Sequence, residues 1–177
     1  MRRALMLLVF LCFGCSRSNE PETVVSDSGL EREIQGFRLS ETHEGHPVWE
    51  LHAAKAWRIP QDTHDHLEEV EVLFYDDNGK FDSRLTARNG VVDENAGIMT
   101  AQNDVKLISV RGDTLTTQEL NYAKNEDRVR GPGFVRLSKP DRVLTGFEFE
   151  AKPDLTTYEI HRDVHISLKN NRSDIAP

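Results

Sequence analysis

The sequence predicts an all-β protein: a repeat-built, twisted antiparallel array of bulged strands, rolled into an open trough or jelly-roll-like sleeve. Three observations predict it. The stretch from Leu85 to Leu168 repeats itself, with Leu85-Thr86-Ala87, Leu115-Thr116-Thr117 and Leu144-Thr145-Gly146 opening copies at spacings of 30 and 29 residues. Twenty residues after each leucine come Val105-Lys106-Leu107, Val135-Arg136-Leu137 and Val164-His165-Ile166, with Met99, Val129 and Tyr158 in register between them. Such a period marks one supersecondary unit stacked on itself, each copy too small to bury its apolar face alone. Second, no long helical period follows Cys15, whereas short alternating runs lie between turn signals. Third, parity changes inside each copy: Leu115 and Thr117 share one face, while Leu120 and Tyr122 have the opposite parity, as do Phe147 and Phe149 relative to Leu144. One extra residue per copy, a β-bulge, would bring both sets to the same side and bend every strand at the same place.

At the N-terminus Arg2 and Arg3 precede an apolar run from Ala4 to Gly14 that ends at Cys15. A run of about ten is short of the roughly 20 residues that span a bilayer and suits the h-region of a secretory signal. Residues 1–14 therefore read as a signal peptide and residues 15–35 as a polar linker. Leu11, Gly14 and Cys15 resemble the lipobox of bacterial lipoproteins, with Cys12 where an aliphatic residue is usual. Cys15 is thus the expected lipid attachment site, giving a membrane tether through an N-terminal lipid anchor.

The folded body is expected over residues 36–168, followed by a polar tail at 169–177. A chain of 177 residues with 37% hydrophobic and 29% charged content suits one medium soluble core. The only cysteines are Cys12 and Cys15, so the mature body would have no disulfide and must rely on burial and strand pairing. Removing residues 1–14 takes away two arginines and no acid, moving the formal charge from −8 to −10. An acidic surface argues against nucleic acid as a partner.

In order, a first segment is expected at Gly36 to Leu39, a turn at Glu41 to Gly45, and a strand from Pro47 to Trp57. Leu51-His52-Ala53 and Val70-Glu71-Val72 echo the repeat with one residue fewer, as a degenerate terminal copy should. Ile59 to His66 reads as a loop and Val70 to Tyr75 as a strand. Asp77-Asn78-Gly79 predicts a type I′ hairpin turn, which needs positive φ at both central residues. Strands follow at Ser83 to Asp93, Ala96 to Ala101, Val105 to Val110, Thr114 to Ala123, Asp127 to Gly131, Phe134 to Ser138, Arg142 to Ala151, Thr156 to His161 and Val164 to Leu168.

Several stretches, in this order and spacing, resemble the LptA/LptC/OstA family of β-jelly-roll modules, and within it the LptC-type lipopolysaccharide-export proteins. They are Gly45 to Leu51 followed by Ala53, Leu67 to Tyr75 ahead of Asn78-Gly79, Leu85-Thr86-Ala87, and Gly112 to Thr117 with Leu120-Asn121-Tyr122. The resemblance spans about residues 36–168. It implies an open jelly roll that takes lipopolysaccharide from an LptBFG-like inner-membrane ABC transporter and passes it to an LptA-like bridging protein. It also implies a periplasmic site anchored to the inner membrane, or to the outer membrane if Cys15 is lipidated. Gly45 falls where the family has a glycine tied to docking on the transporter.

The expected acyl-chain lining is Leu51, Val70, Val72, Phe74, Leu85, Val105, Leu107, Leu115, Leu120, Val135, Leu137, Phe147, Phe149, Val164 and Ile166. The small residues Ala53, Ala87 and Gly146 are expected to leave room beside the leucines. A fatty chain of about twelve carbons would cost on the order of 10 kcal/mol to move through water at roughly 0.8 kcal/mol per CH₂, so a carrier needs such a lining. Open sheet edges serve strand addition, with the edge at Gly36 to Leu39 facing the transporter and Val164, Ile166 and Leu168 the bridging protein.

Catalytic signals are weak. His43, His46, His52, His64 and His66 lie near Asp62 and Asp65, but their spacing fits no common zinc pattern, and no metal or other cofactor is expected. No Gly-x-Ser-x-Gly elbow, Cys and His pair or phosphate loop occurs, so an enzyme is not expected. A different class remains open, a surface or periplasmic lipoprotein acting as a glycan- or protein-binding structural module. Exposed aromatics around Trp49 and Trp57 would favour it.

Overall fold

Residues 32–169, described by the computed structural model, form nine antiparallel strands in chain order. They are β1 (Arg32–His43), β2 (His46–Arg58), β3 (Asp65–Tyr75), β4 (Phe81–Asp93), β5 (Ile98–Ser109), β6 (Thr114–Ala123), β7 (Arg128–Ser138), β8 (Arg142–Ala151) and β9 (Tyr158–Leu168), with a 3-10 turn at Lys124–Glu126. Each strand pairs with its neighbours in sequence, and β1 and β9 are the two edges of an unclosed sheet. The expected signal peptide, Cys15, the linker as far as residue 31 and the tail from residue 170 lie outside the described residues.

The expected bulges are present, and they revise the strand count. Pairing shifts register between Thr86 and Asn89, Gln102 and Val105, Thr117 and Asn121, Gly131 and Phe134, and Thr145 and Phe147. Positive φ at Glu69, Asn103, Asp104, Glu148 and Asp163 marks the same band across the sheet. The segments Ala96 to Ala101 and Val105 to Val110 are therefore two halves of β5, not two strands. The same holds for the two segments of β7 and the two of β9. Asn103 and Asp104 tolerate left-handed backbone, and Pro132 sits where the ladder is already broken and no N–H is required. β1 also starts at Arg32, four residues ahead of its expected beginning, because residues 32–35 pair with β2.

Both halves of the sheet bury side chains on the same face, so the sheet folds over along this band into two layers around one core. One row crosses all nine strands in direct register: Leu39, Leu51, Val72, Leu85, Leu107, Leu115, Leu137, Leu144 and Ile166. In the other layer Val92, Met99, Tyr122, Val129, Ala151 and Tyr158 form a second row. The residues equivalent by repeat thus become neighbours across strands. Period-two alternation supplies this on each side of the bulge, and the extra residue keeps the apolar set inside after it.

Turn chemistry also differs from expectation. The type I′ turn is at Glu44-Gly45, where both φ values are positive and His43 faces His46. At residues 76–80 only Gly79 has positive φ. The Asp76 carboxylate accepts the N–H of Asn78 and of Lys80, each at 2.9 Å, and the Gly79 N–H donates to the Asp76 carbonyl at 2.8 Å. That capped turn has the type I form with glycine closing it, because the aspartate side chain supplies acceptors that a bare two-residue turn lacks.

Candidate functional site

Twelve of the fifteen expected lining residues stand together on the inner face, none more than 5% exposed: Leu51, Val70, Val72, Phe74, Leu85, Val105, Leu107, Leu115, Leu120, Val135, Leu137 and Phe149. The layers meet over them. Among Leu51, Phe74, Leu85, Met99, Leu120 and Tyr122 a void of only about 20 Å³ remains. These inner-face side chains therefore pack against one another and fill the space between the layers, keeping their apolar surface from water.

Three expected lining residues differ. Phe147 follows inward-facing Gly146 and precedes the extra residue Glu148, so it points outward. It meets half-exposed Phe134 edge to face at 5.5 Å and lies 5.3 Å from the Arg162 guanidinium. Its parity with Phe149 is broken by the bulge between them. Val164 and Ile166 keep the inner-face parity, but no second layer covers them, and they are 47% and 59% exposed, with Leu168 at 76%. An unpaired edge and an open apolar strip thus coincide on β9.

Of the small positions, Gly146 leaves no room. A Cβ on Gly146 would stand 2.5 Å from Ile160 Cγ2 and 2.7 Å from the Arg162 carbonyl, so β9 already fills that space. Gly45 differs again: it lies at a turn tip with no atom within 4 Å of where its Cβ would be, and its φ of +86° gives it a backbone reason to be glycine.

Opposite the bend, the turns of the two layers face each other along a seam held by side chains. Lys124 ion-pairs with Glu41 at 2.6 Å and lies 5.3 Å from the Trp49 ring, whose indole N–H donates to the same Glu41 at 3.1 Å. Phe74 and Tyr122 meet at 5.0 Å. Burial first, and then the Asp127 carboxylate, pushes the Tyr122 hydroxyl pKa up, keeping it a proton donor to Asp127 at 3.3 Å. Farther along, the Arg111 guanidinium donates to the Asp154 carbonyl at 2.6 Å, and Leu155 is buried beside it in the same turn.

Near β1 the inner face ends in a charged clamp that the periodicity did not reveal. Asp65, 2% exposed, accepts two bonds from Arg58, at 3.1 and 2.8 Å, and one from Arg32 at 3.0 Å. Its carboxylate points inward because it opposes Val92 in the inner row. An acid next to an arginine seven residues earlier across a turn was the available signal. Trp49, Leu67, Met99, Tyr122 and Leu144 are further buried residues missing from the expected lining. Leu144, Met99 and the neighbours of Tyr122 were already marked by the repeat.

Of the five histidines, His64 and His66 come together, on Asp62, while His52 pairs with Glu71. The Asp62 carboxylate receives His64 Nδ1 at 2.6 Å and His66 Nε2 at 2.8 Å, and His64 Nε2 lies 3.4 Å from Asp93. Among the described residues no group of three or more His, Cys, Asp or Glu is arranged to hold a metal ion. The aromatic platform needed by a glycan-binding module is missing at the two tryptophans: Trp49 is buried in the seam, and Trp57 stacks on His66 at 5.8 Å with Lys55 over its ring.

The model of the family described as "Lipopolysaccharide-assembly, LptC-related" matches residues 4–169. No curated relative matches. Among solved structures the chain is similar to the crystal structure of LptH, the LptA-homologous periplasmic component of the lipopolysaccharide transport device of Pseudomonas aeruginosa. The TM-score is 0.52 at 11% identity, over 68% of this chain and 94% of that one, a likeness of fold.

Proposed function

The chain belongs to the LptC-related family of lipopolysaccharide-assembly proteins, and from that premise we propose that its folded body shields lipopolysaccharide acyl chains on their way across the periplasm. The family is one of transport rather than catalysis. The observation that carries the finer reading is the apolar row running in register from Leu39 on one edge to Ile166 on the other. A tail lying across that row keeps its methylenes from water at every strand, worth roughly 0.8 kcal/mol for each CH₂. A tail that replaces one layer's contact with the other leaves the buried apolar area nearly unchanged, so loading is not opposed by the hydrophobic effect.

Partners follow from the two edges. The β1 side, with the Glu44-Gly45 turn, faces an LptBFG-like inner-membrane ABC transporter. The β9 edge, through Val164, Ile166 and Leu168, accepts a strand of an LptA-like bridging protein. Residues 1–14 serve as signal peptide, and a lipid on Cys15 tethers the body through the polar segment that follows. Radiolabelled palmitate entering the protein only when Cys15 is present tests that tether.

Depleting the protein and fractionating the membranes tests the function. Lipopolysaccharide should accumulate in the inner membrane; unchanged delivery to the outer membrane would overturn the reading.

A further inference from the structure

Resting on that carrier reading, we propose that a cleft beside Lys124 is a side inlet for a single fatty acyl tail, with Met99 as the movable partition between the inlet and the interior. The cleft, about 270 Å³, opens where the β1–β2 hairpin faces the β4–β5 turn. Its floor is apolar, made by Leu39, Trp49, Val92 and Met99, and its lip carries Glu41, Asp93, Glu94 and Lys124.

Val92 and Met99 also wall the small void inside the core. One layer of side chains therefore separates the solvent-facing cleft from the enclosed lining. Methionine suits a partition that must move, because its unbranched thioether chain refills irregular space at little cost. Met99 is also the second residue of β5, next to the turn, where Ile98 is already 38% exposed. Displacing it joins the two cavities.

Size and charge select what enters. Cavities for drug-sized ligands run from about 300 to 1,000 Å³, so this cleft takes one chain rather than several abreast. Three of the four lip charges are carboxylates, and the one ammonium is held by Glu41 at 2.6 Å. A lipid phosphate is repelled at such a lip while a hydrocarbon tail is not, so the site favours tail-first insertion with the headgroup left in solvent.

An uncharged monoacylglycerol carrying a diazirine on its chain tests this with the full-length protein. After photolysis, the label should appear in the peptides of Val92–Met99 and, deeper, in those of Leu107–Leu120. Ile98→Trp fills the cleft from an exposed position without entering the core, and should cut the deep label about tenfold. Met99→Ala should raise it, and Met99→Leu, which keeps the volume but stiffens the side chain, should lower it. Deep labelling that is unchanged in Ile98→Trp would overturn the inlet while leaving the carrier reading intact, since tails would then arrive by the β9 end. A wild-type protein that never labels deeply would also overturn it, and membrane fractionation would still decide the carrier reading separately.

Discussion

Gly146 lies directly beneath Ile160, with no space between them for a methyl group: its Cβ would sit 2.5 Å from Ile160 Cγ2. The second obstacle is backbone, the Arg162 carbonyl at 2.7 Å, which no rotamer change relieves. Gly146→Leu is therefore expected to push β9 off the sheet rather than merely narrow the interior. Overpacking of this kind costs about 1–3 kcal/mol. Faster hydrogen exchange of the amides over Tyr158–Leu168, with the β3–β5 amides unchanged, is the expected readout; uniform protection would contradict it.

Asp65→Ala should be among the most destabilising single changes in the first three strands. The carboxylate is buried and holds two guanidiniums, and removing one member of a buried ion pair costs about 3 kcal/mol at the low end of the measured range. The low end applies because both arginines reach solvent. Arg32→Ala should cost less, roughly 0–1 kcal/mol, since its side chain is nearly half exposed. Urea unfolding of the two variants checks the order.

The Asp62, His64 and Asp93 network gives stability a pH window. The Asp62 carboxylate beside His64 holds its imidazolium, raising the His64 pKa above 6.5. That contribution is complete below about 6.5 and is lost as pH climbs through the raised value. Asp62, lowered chiefly by hydrogen bonding with His66, and Asp93, lowered chiefly by the Ala96 N–H, contribute above 3.8 and are lost as pH falls through their depressed values. Both parts are present between about pH 4 and 6.5. The Tm of wild type should fall from pH 6 to pH 8.5 by more than that of His64→Gln; equal falls would remove the network from the account.

Ile166→Asp is expected to leave the fold alone and to weaken docking. The side chain is already 59% exposed, and substitutions at such positions usually change stability by about 0.5 kcal/mol or less. A charge on the uncovered strip opposes strand addition by an apolar partner. Co-purification with an LptA-like partner should be lost while binding to the transporter persists; retention of both would move the docking edge elsewhere.

Much of this architecture was legible in the repeat. Leu85, Leu115 and Leu144 recur with Leu107, Leu137 and Ile166 because all six occupy one row, and the parity change announced the bulges. What misled was local chemistry at the bulges themselves. Asn103-Asp104, Pro132-Gly133 and Arg162-Asp163 look like loop residues, so the sequence pattern divides three strands where they only bend. Phe147 shares the parity of Phe149 until the extra residue Glu148 is placed between them, and a glycine at 146 gives no sign of the Ile160 side chain that fills the space beside it. The Asp65 clamp and the Lys124 contacts depend on which turns face each other across the layers, a relation set by the rolled sheet and invisible to periodicity.

Each of the nine strands is continuous across the bend, and this determines how the molecule can widen. The two halves cannot slide apart or separate as plates; they can only swing about that line, as the covers of a book turn on its spine. The room gained then grows with distance from the spine, so a small rotation admits something slender at the outer margin while leaving the innermost side chains in contact. On the carrier reading, capacity would then be graded rather than all-or-none, with bulky cargo needing a larger angle and not a different fold.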